Sequence, residues 1–256
     1  MKSFVFMFSL FLFVMFDLNS ILSIPWHIEC KYDDDACVTK AVQAAYPLML
    51  EPNTNIGAEE MDPMYQELIE KKLEILDFEF YNTTITGFKT CKVNNAKFNE
   101  TPDSIKVELF CKKFTLKGQY DLVVRLLILI TNGSGDFFIE TGEYNIIVDL
   151  VLETLVKDGM IFRTITSFSA QAEALAPVKY DFQGLTYESK IADEIHKYID
   201  DNWKEIAGVP SLTVLYPNLK KIIRNTNKYL EAYPFDHTRF VFNKTIKVIS
   251  ILLLKL

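Results

Sequence analysis

The stretch YDLVVRLLILI (residues 120–130) sets Tyr120, Leu122, Val124, Leu126, Ile128 and Ile130 on one parity. A helix would scatter these side chains around its axis, whereas a strand lines them on one face. The same alternation recurs on both sides. Leu76, Phe78 and Phe80 alternate with Asp77, Glu79 and Tyr81; Ile105, Val107, Leu109 and Cys111 alternate with Lys106, Glu108 and Phe110. Tyr144, Ile146, Val148, Leu150 and Leu152 form a further run. The turn signals Lys117-Gly118, Asn132-Gly133-Ser134-Gly135-Asp136 and Asp158-Gly159 stand between these runs. Residues 73–182 therefore predict long antiparallel strands joined by hairpins. A sheet of such long strands must coil, because twist accumulates along it.

Helical spacing flanks this region. Residues 36–46, ACVTKAVQAAY, place Val38, Ala41, Val42 and Ala45 on one face and predict a helix ending near Pro47. Pro52, Asn53, Asn55, Gly57 and Asp62-Pro63 make residues 51–64 a loop. Over residues 186–233, Ile191, Ile195, Tyr198, Ile199, Trp203 and Ile206 share a stripe, which Leu212, Leu215, Leu219, Ile222, Ile223 and Leu230 continue. Gly208-Val209-Pro210 interrupts this pattern, and Pro217 is expected to kink the helix or mark its start. The order is short helix, long antiparallel sheet, long helix, with no linker or repeat to divide it. The expected fold class is α+β, a long C-terminal helix wrapped by a strongly curved antiparallel sheet.

Residues 1–23 read as a secretory signal peptide: Lys2, then an apolar run from Phe4 to Phe16, then the small residues Ser20 and Ser23. Asp17 and Asn19 cut that run short of a membrane span. The net charge of −7 disfavours nucleic acid and anionic lipid surfaces, and removing Lys2 and Asp17 leaves it unchanged. The sequons at Asn82, Asn99, Asn132 and Asn243 agree with secretion. Four cysteines in a secreted chain predict two disulfides. Cys91 and Cys111 are symmetric about a turn signal at residues 99–103, so a hairpin would set them opposite each other. Cys30 and Cys37 close the loop CKYDDDAC (residues 30–37), with Asp34 or Asp35 capping the helix that follows. Adjacent aspartates without a glycine turn do not make a calcium loop, and the spacing fits neither zinc nor a redox motif.

Chemistry-bearing motifs are missing. There is no nucleophile elbow, no phosphate-binding loop and no dinucleotide fingerprint. His27, His196 and His237 read as surface histidines, and Glu59-Glu60 and Asp200-Asp201 as solvated carboxylates. The chain is expected to be neither an enzyme nor a holder of a cofactor or metal.

These features in this order resemble the insect haemolymph juvenile-hormone-binding and takeout-like proteins. The carrying residues are the Cys30/Cys37 pair, Ala45-Tyr46-Pro47, Met61-Asp62-Pro63-Met64, Thr86-Gly87-Phe88 and Gly118-Gln119-Tyr120. Asp158-Gly159 before a strand ending in Phe168, Asn202-Trp203 and Pro234-Phe235-Asp236 complete them, over residues 26–240. Cys91 and Cys111 favour the takeout-like branch. The resemblance implies a secreted, non-catalytic carrier, one domain over residues 24–240, holding juvenile hormone, a fatty acid or a similar lipid in an internal tunnel. The expected lining is Phe78, Phe80, Leu122, Val124, Leu126, Ile146, Val148, Phe162, Phe168, Ile195, Ile199, Trp203, Leu219 and Ile223. Tyr46, Tyr120, Tyr144, Tyr198 and Tyr229 are candidate hydrogen-bond donors to it. The expected partner is that small ligand, bound by a monomer, with no nucleic acid and no membrane contact. The tail IKVISILLLKL (residues 246–256), within the segment 241–256, runs past the usual end and is too short to span a bilayer. A membrane-interacting lipid-transfer module and a secreted hydrolase are the competing readings.

Overall fold

The computed structural model describes residues 30–72, 76–101, 103–126, 129–184 and 201–234. Helix α1 spans Asp35–Leu50. Among the described residues nine strands follow: β1 Met64–Lys72, β2 Leu76–Thr86, β3 Lys92–Phe98, β4 Ser104–Cys111, β5 Thr115–Leu126, β6 Leu129–Glu140, β7 Tyr144–Lys157, β8 Met160–Ala174 and β9 Lys179–Phe182. Helix α2, Trp203–Ala232, is the last element among the described residues. All strand pairings are antiparallel, in two sheets ordered β1-β2-β5-β6-β9 and β3-β4-β7-β8. The two sheets do not close into a barrel. Helix α2 lies against β8 of one sheet and β1 of the other, and α1 covers β3.

Side chains of the helices close both edges of the four-stranded sheet. On β3, the Ala96 N–H donates to Thr39 Oγ1 at 2.9 Å and the Val93 N–H to Gln43 Oε1 at 2.7 Å, both from α1. On β8, Asn227 of α2 accepts from the Ile165 N–H at 2.8 Å and donates to its carbonyl at 2.9 Å, as a neighbouring strand would. Asn225 makes the equivalent pair with Glu59, at 2.8 and 3.0 Å, and also donates to the Met49 carbonyl at 3.0 Å. Asn218, fully buried, accepts from Gln66 of β1 at 2.8 Å. Between these contacts Ala207, Val214, Leu215, Leu219 and Ile222 bury one face of α2.

The expected alternation holds in most strands. Ile105, Val107, Leu109 and Cys111 are buried along β4, as are Phe78 and Phe80 on β2, with the charged residues between them turned out. Asp34 caps α1, its side chain accepting from the Cys37 N–H at 3.0 Å. Both expected disulfides form, Cys30–Cys37 and Cys91–Cys111, the second joining facing positions of the β3–β4 hairpin. The β7–β8 hairpin turns at Asp158-Gly159, where φ is 53° and 75°.

Other expectations are overturned. The opening stretch is not one strand: Leu126 pairs with Leu129, so the chain reverses between them. The expected turn at residues 132–136 is instead the middle of β6, and Gly135 serves a close approach. A Cβ on Gly135 would stand 2.3 Å from the Gln183 carbonyl. Lys117-Gly118 likewise lies inside β5, the reversal before it falling at residues 112–114. Strand β1 begins at Met64, the last residue of the expected loop, and runs through residues for which no element was expected; charged residues recur along this edge strand and only Met64, Gln66 and Ile69 are buried. Helix α1 continues through Pro47, since its last turn buries Met49 and Leu50. Helix α2 runs through Gly208, Pro210 and Pro217 without ending, its buried stripe continuing on either side of Pro217. The stretch 186–200 of the expected helix lies outside the described residues.

Replacing Asn225 with Ala removes three hydrogen bonds and leaves the buried Met49 carbonyl without this donor. The variant should lose about 3 kcal/mol in denaturant unfolding.

Candidate functional site

The inner faces of the two sheets and α2 meet in one continuous apolar cluster. Of the expected lining, Phe78, Phe80, Leu122, Ile146, Val148 and Leu219 belong to it, and Phe168 and Trp203 pack against it. Two expected residues do not join that cluster. Phe162 is buried near the β7–β8 hairpin end, with the Lys157 ammonium 5.7 Å from its ring centre. Ile223 is half-buried on α2, one position off its buried stripe. Val124 and Leu126 lie on β5; Ile195 and Ile199 lie outside the described residues.

Rings dominate the interior of the five-stranded sheet. Phe78 and Phe80 are 4.7 Å apart, Phe80 stacks on Phe137 at 4.4 Å, and Tyr120 meets Phe182 edge-on at 4.8 Å. Toward α1, Phe88 meets Phe114 at 5.0 Å and Phe114 meets Tyr144 of the other sheet at 6.2 Å. Offset and edge-on pairs of this kind add about 0.5–1.5 kcal/mol each to the burial of the rings. Phe88, Phe114, Phe137, Tyr180 and Phe182 are absent from the expected lining. The parity of Phe137 and Ile139 is the signal that could find Phe137 on β6, and it is hidden when the preceding residues are read as a turn. Thr83 marks the bulge in β2, its hydroxyl fully buried and without a hydrogen-bond partner among the described residues.

Most of the candidate tyrosines are already committed. Tyr46 donates to the Phe88 carbonyl at 3.0 Å, Tyr120 to the Gln183 carbonyl at 3.0 Å, and Tyr229 to the Glu51 carbonyl at 3.1 Å. Tyr144 is buried at the start of β7, and Tyr198 lies outside the described residues. Burial, with Asp62 nearby, pushes the Tyr46 phenol well above its ordinary range. Burial does the same to Tyr180, with Tyr144 adding to it. The Asp62 carboxylate braces a turn, accepting from the Gly87 N–H at 3.1 Å and the Lys89 N–H at 2.6 Å. Two of the sequence motifs, Met61–Met64 and Thr86–Phe88, are joined by those bonds.

An open cleft of about 850 Å³ lies at the ends of β1, β2, β5 and β6. Phe78 and Leu122 reach it beside Lys71, Asp77, Glu79 and Asp121. Among the described residues, no three His, Cys, Asp or Glu side chains converge on a point suited to a metal ion, and no helix is long and apolar enough to cross a membrane. All three histidines lie outside the described residues. The sequon residue Asn82 is exposed and bonded to Tyr65 and Gln119. Asn99 is half-buried with its amide on Ser104, Asn132 is exposed on β6, and Asn243 lies outside the described residues.

Two antiparallel sheets with a long C-terminal helix across their edges, all facing one aromatic interior, define the class of architecture. The haemolymph juvenile hormone binding protein family model matches residues 10–237, and the chain belongs to that family. Among solved structures it is similar to Takeout 1 of Epiphyas postvittana, with a TM-score of 0.73 and 22% identity over 81% of this chain and 97% of that one. A lipopolysaccharide binding protein matches at 13% identity and a TM-score of 0.32, over 75% of this chain and 37% of that one, too remote to bear on the fold. No curated protein matches the sequence.

The raised phenols set a direction for alkaline stability. The unfolded chain ionises its tyrosines near pH 10, whereas the folded chain holds the Tyr46 and Tyr180 protons to higher pH. Their contribution is complete below about pH 10 and is lost as pH rises beyond it. In a titration followed by phenolate absorbance, these two should ionise only together with the loss of near-ultraviolet circular dichroism.

Proposed function

We propose that the chain is a secreted carrier that holds one long apolar ligand, such as juvenile hormone, a fatty acid or a similar lipid, between its two sheets. The observation that carries this reading is the ring-rich interior spanning both sheets in a member of the juvenile hormone binding protein family. Removing apolar ligand surface from water yields about 25 cal/mol per Å², so burying most of a lipid chain supports micromolar binding after association costs. Phe78 and Leu122 connect the cleft at the strand ends with this interior, which makes the cleft the natural entrance. No step of the reading calls for catalysis.

Secretion rests on the signal-peptide pattern of residues 1–23, on the pairing of all four cysteines and on the sequons. Asn82 and Asn132 are the exposed glycan acceptors. Carriage as a monomer requires nothing from a partner subunit.

One observation favours the lipid-transfer reading. The β7–β8 hairpin tip exposes Val156 at 70% and Met160 at 44%, and the tail at 246–256 is apolar. Deleting residues 246–256 and measuring vesicle sedimentation separates it from the soluble carrier, which would show no sedimentation in either form.

The carrier reading is tested by expressing the mature chain in a secretory host, extracting it with organic solvent and identifying the extract by mass spectrometry. A long-chain lipid at one per chain is expected. An empty protein that also takes up no fluorescent fatty acid would leave the interior as ordinary core.

A further inference from the structure

Among the described sequon asparagines, Asn82 stands beside an exposed ring. It lies at the bulge in β2, exposed, with φ at 49°, in the left-handed region that asparagine tolerates. Strand β1 runs alongside. Tyr65 faces Thr84 and Leu68 faces Tyr81, so Asn82 falls between these two pairs. Tyr65 is 52% exposed and Leu68 45%, although Met64, Gln66 and Ile69 of the same strand are buried. The Tyr65 hydroxyl donates to Asn82 Oδ1 at 2.7 Å, and its carbonyl accepts from Lys221 of α2 at 2.5 Å. Side chain and main chain of Tyr65 are thus both held. The other sequons differ. Asn99 is half-buried with its amide on Ser104, and Asn132 lies among the charged residues of the cleft.

Attachment of a glycan joins the asparagine Nδ2 to C1 of N-acetylglucosamine. The nitrogen gives up one proton, and the lipid pyrophosphate that carried the oligosaccharide leaves. The product is a secondary amide. Like a peptide bond it is planar and trans, so C1 lies opposite Cβ and on the side of Oδ1. Oδ1 is the atom that the Tyr65 hydroxyl holds. The first sugar therefore starts beside the Tyr65 ring. Asn82 Nδ2 donates to the exposed Gln119 at 3.3 Å, and the linkage leaves it one N–H. A pyranose presents a face of C–H bonds, which suits the electron-rich face of an aromatic ring.

We propose that Asn82 carries an N-linked glycan whose first N-acetylglucosamine packs on the Tyr65 ring, covering the apolar outer face of β1 and β2 at Tyr65 and Leu68. This rests on the secreted reading and adds to it a structural role for one glycan. Strand β1 is an edge of the five-stranded sheet. An edge with exposed apolar side chains invites pairing with another chain. A bulky, hydrated sugar seated there bars that approach while shielding the ring from water.

The test uses the chain secreted from a eukaryotic host, its glycans trimmed enzymatically to a single N-acetylglucosamine per site. Peptide mass spectrometry should find Asn82 occupied. Thr84→Val removes the sequon and keeps Asn82 with its bond to Tyr65. It should melt about 3 °C below the wild type, and that difference should vanish in a Tyr65→Ala background. The same proteins from a bacterial periplasm, which adds no glycan, should show no such coupling. Equal coupling there would make it a direct contact of Tyr65 with Thr84 and overturn the proposal. An unoccupied Asn82 with glycans elsewhere would overturn it, as would a loss in Thr84→Val that persists without the ring. A melting temperature of the glycoprotein that rises with its concentration would give the patch to a second copy and overturn it too. A chain that is not secreted at all would defeat the secreted reading, and this inference with it.

Discussion

The amide side chains of α2 hold the molecule in register. Asn225 grips the Glu59 main chain on one side and Asn227 grips Ile165 on the other. An edge strand leaves main-chain donors and acceptors open, and a buried helix cannot satisfy them with its own backbone. A carboxamide can, because it presents one donor and one acceptor in the geometry of a peptide group. Thr39 and Gln43 of α1 do similar work on β3. The four-stranded sheet is thereby finished at both edges by helices. The side chain of Lys221 extends the contact to β1, donating to the Tyr65 carbonyl at 2.5 Å.

These polar ties leave the interior apolar. Position and orientation of the helix are set by the hydrogen bonds of Asn218, Asn225 and Asn227, the first two fully buried, while apolar side chains fill the faces between the sheets. Tyr46 and Tyr120 follow the same plan, each packing its ring with the core and tying its hydroxyl to a loop or turn carbonyl, and Tyr229 does so in a smaller cluster with Met49 and Ala58. The motifs that carried the family resemblance turn out to be such ties. Asp62 binds the turn at Gly87, Tyr46 binds Phe88, and Tyr120 binds Gln183. They explain a shared fold more directly than a shared ligand.

What could be read from sequence tracks how far each signal depends on local periodicity. Strands β4 and β7 alternate cleanly because one face is core and the other solvent, and the Cys91–Cys111 pairing followed from hairpin symmetry alone. The reversal inside YDLVVRLLILI was hidden because both arms are apolar and share one parity, with no glycine or proline at the turn. Glycines misled in the opposite direction, since Gly135 serves the close passage of residue 183 rather than a bend. Strand β1 was invisible because an edge strand carries charge. For the candidate site, the parity rule set Phe78, Phe80, Leu122, Ile146 and Val148 on inner faces, and they join the core cluster. It missed Phe88, Phe114 and Phe182, whose meeting depends on how two sheets face each other. The helix residue Ile223 shows the corresponding limit, since a stripe read from spacing is one residue too wide.

The central claim is that the space between the sheets receives the ligand. Photo-crosslinking with a diazirine-bearing long-chain ester, followed by peptide mapping, tests it most directly. The account predicts label on β2, β5, β7 and β9, at inward residues such as Phe80, Leu122, Ile146 and Tyr180. Label confined to the exposed hairpin tip at Val156 and Met160 would contradict it and place the lipid on the outside of the protein.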